Sequence, residues 1–194
     1  PSNYVRGLYR YARDILFATP VPYQPIGTDA RVVDKGGKPT LMFLVVGETA
    51  RSQNYSLNGY QKQTNGFTMK EPDLVSFRDV RSCGTATAVS VPCMFSNLTR
   101  REYDETLAKS RDGLLEVLQH AGVSVLWKEN DGGCKGVCNH VPTLEIEPKT
   151  FPEYCEGDSC YDEVLLQGLD QQIAGMKGKQ GSKLVAFHLM GSHG

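Results

Sequence analysis

The sequence predicts an α/β fold, a mostly parallel central sheet flanked by helices. Three apolar runs predict it first: Leu41-Met42-Phe43-Leu44-Val45-Val46, residues 123–127, and residues 184–189. Strands of this kind are buried on both faces, as in a parallel sheet covered by helices. Helical patterns separate them. Residues 112–121 carry Leu114, Leu115, Val117 and Leu118 and close at Gly122, and residues 161–176 carry Val164, Leu165, Leu169 and Ile173 on one stripe. Strand, helix, strand, helix, strand is the order of an α/β domain.

The 194 residues suffice for one domain with a sizeable core, or two small ones. A 40% hydrophobic and 22% charged composition excludes a collagenous, low-complexity or wholly disordered chain. Twenty-one Lys and Arg against 22 Asp and Glu leave a net charge of −1, without the basic excess of a nucleic-acid binder. No apolar run approaches the roughly 18 residues that a membrane-spanning helix needs. Residues 1–4 lack the apolar core of a signal peptide.

From the amino end, residues 4–17 predict a helix with Tyr4, Leu8, Tyr11 and Ile15 on one face. Arg6, Arg10 and Arg13 add charge beside the tyrosines. That combination suits a membrane interface, and equally a linker helix docked on the domain. Residues 19–25 hold three prolines and read as an extended, semi-rigid strap. Residues 26–39 are polar and read as a surface connection. The expected division is therefore a helix and linker over 1–38 and a folded domain over 39–194.

Six cysteines fall into local couples: Cys83 with Cys93, Cys134 with Cys138, and Cys155 with Cys160. They read as three short-loop disulfides and hence an oxidising compartment. The rival is a zinc site from Cys134, Cys138, Cys155 and Cys160. Its couples are separated by three and four residues, where zinc ribbons favour two.

Candidate chemistry gathers where strands end, since sites of open α/β sheets lie beyond the carboxyl ends of strands. Glu48 follows the first strand and can bind a metal, act as a base, or simply favour a helix start. The segment from Cys83 to Cys93 is rich in small residues and leads into a helix, whose amino end favours phosphate. Thr87 would there be a hydroxyl at an anion site, needing a base or metal to become a nucleophile. The plainer reading is that Thr85, Thr87 and Ser90 only cap and turn the chain. His193 lies beyond the last strand, where it can meet a phosphate or a metal. His188, inside that strand, reads as a satisfied core histidine. His120 sits at a helix end, His140 has no clear context, and Lys135 can meet an anion.

Together these segments resemble a known family. Gly47-Glu48-Thr49-Ala50-Arg51 with Asn58-Gly59-Tyr60, then Ser82-Cys83-Gly84-Thr85-Ala86-Thr87-Ala88 running to Val91-Pro92-Cys93-Met94-Phe95-Ser96, are similar to motifs of bacterial phosphoethanolamine transferases. Trp127, Asn130, Lys135-Gly136 and His188 to Gly191-Ser192-His193-Gly194 fit the same pattern. The resemblance covers roughly residues 40–194 and extends to the lipid A transferases and the mobile colistin-resistance enzymes. It implies an alkaline-phosphatase/sulfatase-like sandwich at the periplasmic face of the bacterial inner membrane, with this chain the amino-terminal part of the catalytic domain. It implies phosphatidylethanolamine as donor, lipid A as acceptor, and Zn2+ as cofactor. By motif position, Glu48 and Thr87 would be zinc ligands and Thr87 the nucleophile. Thr85, Asn130, Lys135 and His193 would bind substrate or a second metal, with the register between Asn130 and Asp131 open. Relatives carry a later Ser-Asp-His-Gly-Glu motif that completes the zinc site, so the 194 residues alone are expected to be inactive. Gly66 stands where relatives usually have proline. The alternatives are another phosphotransferase or hydrolase of the same superfamily, and a non-catalytic, disulfide-braced periplasmic module.

Overall fold

The computed structural model describes residues 2–16, 21–33, 37–178 and 181–193. Helix α1 spans Ser2–Leu16 and leaves Tyr4, Val5, Leu8, Tyr9 and Tyr11 exposed. Among the described residues, no helix is long and apolar enough to cross a membrane. Phe17, Thr19, Pro20 and residues 34–36 lie outside the described residues, as do the side chains of Arg10, Arg13 and Ile15.

The elements that follow are β1 (Leu41–Val46), α2 (Thr87–Phe95), α3 (Glu105–Lys109), α4 (Leu114–His120), β2 (Ser124–Glu129) and β3 (Thr143–Glu145), then the β4–β5 hairpin (Cys155–Glu156 and Ser159–Cys160), α5 (Leu169–Gly175) and β6 (Lys183–His188). Four strands form one parallel sheet in the order β1-β6-β2-β3. The sheet is therefore parallel with flanking helices, as the sequence predicts.

Alternation along the central strands builds a core on each face. Val125 and Trp127 of β2 and Leu184 and Ala186 of β6 pack with Val91 and Phe95 of α2 and Leu115 of α4. On the other face Leu126, Val185 and Phe187 meet Val164 and Leu165, with Leu169 and Ile173 of α5 against them. Glu116 starts α4 by accepting the Gly113 N–H at 2.9 Å, and Asp104 caps α3 by accepting from Leu107 N at 2.7 Å.

Two expectations are corrected. First, β1 is apolar but not buried on both faces: Leu41, Met42, Phe43 and Val45 are 45–58% exposed. It sits at the edge of the sheet, with β6 on one side only. Second, the helix expected over 161–176 is divided. A 3-10 turn spans Asp162–Leu166 and α5 begins only at Leu169. Gly168 between them has φ +65, a left-handed conformation that no helix continues through. The apolar stripe survives the break, because both pieces face the sheet.

All three cysteine couples are disulfides in the structure. The thiolate zinc site is thereby ruled out. Cys83–Cys93 ties the segment before α2 to the helix itself, and Cys155–Cys160 closes the β4–β5 hairpin.

Candidate active site

The sheet register decides where the chemistry gathers. Val46 of β1 and Glu129 of β2 both lie opposite His188 of β6. Glu48 and Asp131 each follow their strand by two residues, so the carboxyl ends of three neighbouring strands deliver Glu48, Asp131 and His188 to one place. Their ligand atoms all lie within 4.8 Å of one another.

His188 is fully buried. Its Nδ1 donates to Glu129, at 3.0 Å from Oε1 and 2.9 Å from Oε2. Glu129 also accepts from Trp127 Nε1 at 2.8 Å and from Asp131 N at 2.6 Å. Burial works against its ionisation, but these donors outweigh it and hold the Glu129 carboxyl below its ordinary value. In the neutral tautomer that donates through Nδ1, His188 Nε2 presents a lone pair. It faces Asp131 Oδ2 at 3.6 Å, beyond hydrogen-bond distance, and both atoms are buried without a partner. Two buried acceptors facing each other call for a cation between them. Imidazole nitrogen with carboxylate oxygens is a donor set for a divalent metal, and Glu129 behind His188 fixes the tautomer such a ligand needs. The residues therefore fit a metal. The reading of His188 as a satisfied core histidine is overturned, since half of its ring is unsatisfied.

Glu48 divides its two oxygens. Oε1 accepts from the N–H and the hydroxyl of Thr49, each at 3.0 Å, and Oε2 accepts from Thr87 Oγ1 at 2.9 Å. Burial opposes ionisation of Glu48, yet the Thr87 and Thr49 bonds prevail and its pKa is lowered. Thr87 is the first residue of α2, half-buried, with Ala86 at the N-cap. The amino end of this nine-residue helix, where amide groups are left free, therefore lies beside Glu48.

His193 sits on the turn after β6 and donates through Nδ1 to Asp131 Oδ1 at 2.6 Å. That hydrogen bond, then the Asp131 and Glu48 charges, raise its pKa, while nearby Lys135 opposes them. Lys135 has φ +54 and donates to the Gly132 carbonyl at 3.1 Å, inside the loop closed by Cys134–Cys138. Asn130 is buried, and its amide donates to the Cys160 carbonyl at 3.1 Å and to Asp162 Oδ1 at 2.9 Å. Thr85 is exposed just before α2. A cleft of about 720 Å³ opens beside Asp131 and His193. The structure thus brings together Glu48, Thr87, Lys135 and His193, and adds Asp131, which the sequence left open against Asn130, and His188, which it read as core. Both added residues were findable by the reasoning that singled out Glu48, because each ends or follows an apolar strand.

Known proteins are similar to this chain in sequence and in fold. The chain is 45% identical over 177 residues to the phosphoethanolamine transferase EptA of Escherichia coli K12, covering 90% of this chain and 32% of that protein. It is 40% identical over 163 residues to the phosphatidylethanolamine transferase Mcr-1 of Escherichia coli, covering 81% of this chain and 30% of that one. Among solved structures, the integral membrane lipooligosaccharide phosphoethanolamine transferase A of Neisseria meningitidis superposes with a TM-score of 0.91 at 39% identity, over 100% of this chain and 36% of that one. The chain thus spans about a third of the length of these relatives. The family described as Sulfatase matches residues 40–194, and on that match, with a parallel sheet that gathers its acidic and histidine side chains at the strand ends, the chain belongs to the sulfatase family.

Proposed function

We propose that these residues form the nucleophile-bearing part of a zinc-dependent enzyme that transfers phosphoethanolamine from phosphatidylethanolamine to a phosphate of lipid A. The observation that carries the reading is the Thr87 hydroxyl donating to Glu48 Oε2 at 2.9 Å, beside a buried pair of unpartnered ligand atoms. The relatives' names supply the reaction class.

Glu48, Asp131 and His188, with Thr87 joining them, would hold the zinc. Bound there, zinc would supply Lewis acidity to the phosphate and favour the threonine alkoxide. The chain's own residues account for the rest. Glu48, kept ionised, is placed to accept the Thr87 proton. The freed Oγ1 attacks the donor phosphorus, the bond from phosphorus to the diacylglycerol oxygen breaks, and phosphoethanolamine is left on Thr87. His193, whose pKa is raised, offers a cation to the phosphate or a proton to the departing oxygen. Lys135 adds a second cation, the α2 amide groups add their dipole, and Thr85 lines the approach. A lipid A phosphate oxygen then attacks the same phosphorus and Thr87 regains its proton. Capping that phosphate with an amine lowers the negative surface charge, which weakens binding of cationic peptides such as polymyxins and colistin.

This places the reaction at the periplasmic face of the bacterial inner membrane, consistent with three disulfides and an integral membrane relative. We assign residues 1–38 to a juxtamembrane helix and linker and 39–194 to the catalytic domain. Turnover is proposed for a protein of the relatives' full length, and the 194 residues alone are proposed to be inactive.

Intact-mass spectrometry with peptide mapping tests the reading. The full-length protein with zinc and phosphatidylethanolamine should acquire a phosphoethanolamine adduct on Thr87, and Thr87→Ala should acquire none. Release of free phosphoethanolamine to water without an acceptor product would mark a hydrolase instead. Unchanged function in Thr87→Ala would mark a non-catalytic module.

A further inference from the structure

Asp162 touches none of the reacting groups, yet three hydrogen bonds converge on it. Its Oδ1 accepts from the backbone N–H of Met190 at 2.8 Å and from Asn130 Nδ2 at 2.9 Å, and its Oδ2 accepts from the backbone N–H of Gly191 at 3.0 Å. Asn130 is itself held by the Cys160 carbonyl at 3.1 Å. The turn after β6 is thus pinned to the segment that leaves the disulfide-closed β4–β5 hairpin.

What that turn carries makes the pin consequential. Gly191 has φ +55, and it lies so near Glu48 that a Cβ there would stand 2.9 Å from the Glu48 carbonyl oxygen and 3.2 Å from its nitrogen. The Ser192 N–H reaches the Glu48 carbonyl at 3.4 Å, the His193 N–H closes onto Met190 O at 3.1 Å, and His193 Nδ1 meets Asp131 Oδ1 at 2.6 Å. Four residues therefore run from Asp162 past Glu48 to Asp131. Among the described residues of the turn, the His193 N–H to Met190 O bond is the local one. The two amide groups that lead into it both end on the Asp162 carboxylate.

We propose that Asp162 is a positioning residue, braced by Asn130, whose carboxylate sets the 190–193 turn against Glu48 and so places His193 opposite Asp131. The reaction it serves is the transfer proposed above, and the inference rests on that reading for its consequence in turnover. A carboxylate suits the task because two acceptor oxygens must take three N–H donors. An amide at 162 turns one oxygen into a donor and loses at least one bond, while alanine loses all three. Asn130 acts here through Asp162, since both of its amide hydrogens are directed into the protein.

The experiment compares Asp162→Ala, Asp162→Asn and Asn130→Ala in the full-length protein, by amide hydrogen exchange and by steady-state transfer from phosphatidylethanolamine. In Asp162→Ala the Met190 and Gly191 amides should exchange at least about tenfold faster, with Val185 to Phe187 in β6 unchanged. Turnover should fall by about tenfold or more in kcat while KM stays within about twofold, with Asp162→Asn intermediate. Unchanged exchange at Met190 and Gly191 overturns the proposal, and so does faster exchange with kcat intact. Should β6 also open in Asp162→Ala, the same criteria apply to Asp162→Asn and Asn130→Ala, provided their β6 amides match the wild type. A wild-type protein that transfers nothing removes the proposed reaction, and the exchange rates still decide whether Asp162 holds the turn.

Discussion

Thr49 is a β-branched residue at φ +51, a conformation such side chains avoid. The strained backbone points both its N–H and its hydroxyl at Glu48 Oε1, which leaves Oε2 to Thr87. Gly191 supplies the complementary fit from the turn after β6. Gly191→Ala must accept an unfavourable φ and also a contact of 2.9 Å with Glu48 backbone, whereas Gly132→Ala, at φ +72, meets nothing within 4 Å. We expect Gly132→Ala to cost about 1 kcal/mol and Gly191→Ala about 1–3 kcal/mol more, measured by urea unfolding. Equal costs would show that the Glu48 approach is not tight. Glu48, Thr87, Lys135 and His193 were legible from their places after strands or in small-residue segments. Asp162 was not, because its partners, two backbone amides and the Asn130 side chain, are remote in sequence.

Among the elements, the α5 region shows what a helical stripe conceals. Lys128 of β2 is 1% exposed, and its Nζ donates to Gln172 Oε1 at 2.7 Å and to the Gln167 carbonyl at 3.1 Å. It stitches α5 to the residue where the 3-10 turn ends, on the far side of Gly168. Burial lowers its pKa from 10.5 to about 8. The unfolded chain therefore holds this proton more tightly than the folded one. Stability should rise with pH between about 8 and 10.5 through this group, and be independent of it below about 8. In Lys128→Met that contribution vanishes, so the difference between the two proteins should narrow or widen only above pH 8. Urea midpoints from pH 7 to 9.5 measure it, and parallel curves across that range would refute the assignment. Elsewhere in the domain, Asp112 accepts from Tyr23 Oη, Ile26 N and His120 Nε2, and so docks the strap that follows α1. The prolines predicted an extended strap, but nothing in them revealed its partner.

For the molecule as a whole, the candidate metal ligands lie at the ends of three strands that are distant in sequence. A cation held by Glu48, Asp131 and His188 would join the ends of β1, β2 and β6, and binding to the folded state alone must stabilise the fold. Zinc at about a hundredfold its dissociation constant should add about 2.7 kcal/mol. The rise in thermal midpoint should disappear in His188→Gln and in Asp131→Asn, as scanning calorimetry would show. A shift that persists in both variants would place the metal elsewhere.

Periodicity, composition and cysteine spacing determined the fold class, the three long strands, the disulfide couples and a set of candidate residues at strand ends. These are local properties, written in neighbours along the chain. Only the tertiary structure decided that β1 lies at an exposed edge, that His188 Nε2 and Asp131 Oδ2 face each other without partners, and that Asp162 anchors the active-site turn. The physical reason is register. Hydrogen bonding between parallel strands places Val46, His188 and Glu129 in one row, and the chemistry depends on which residues that row brings within a few ångströms.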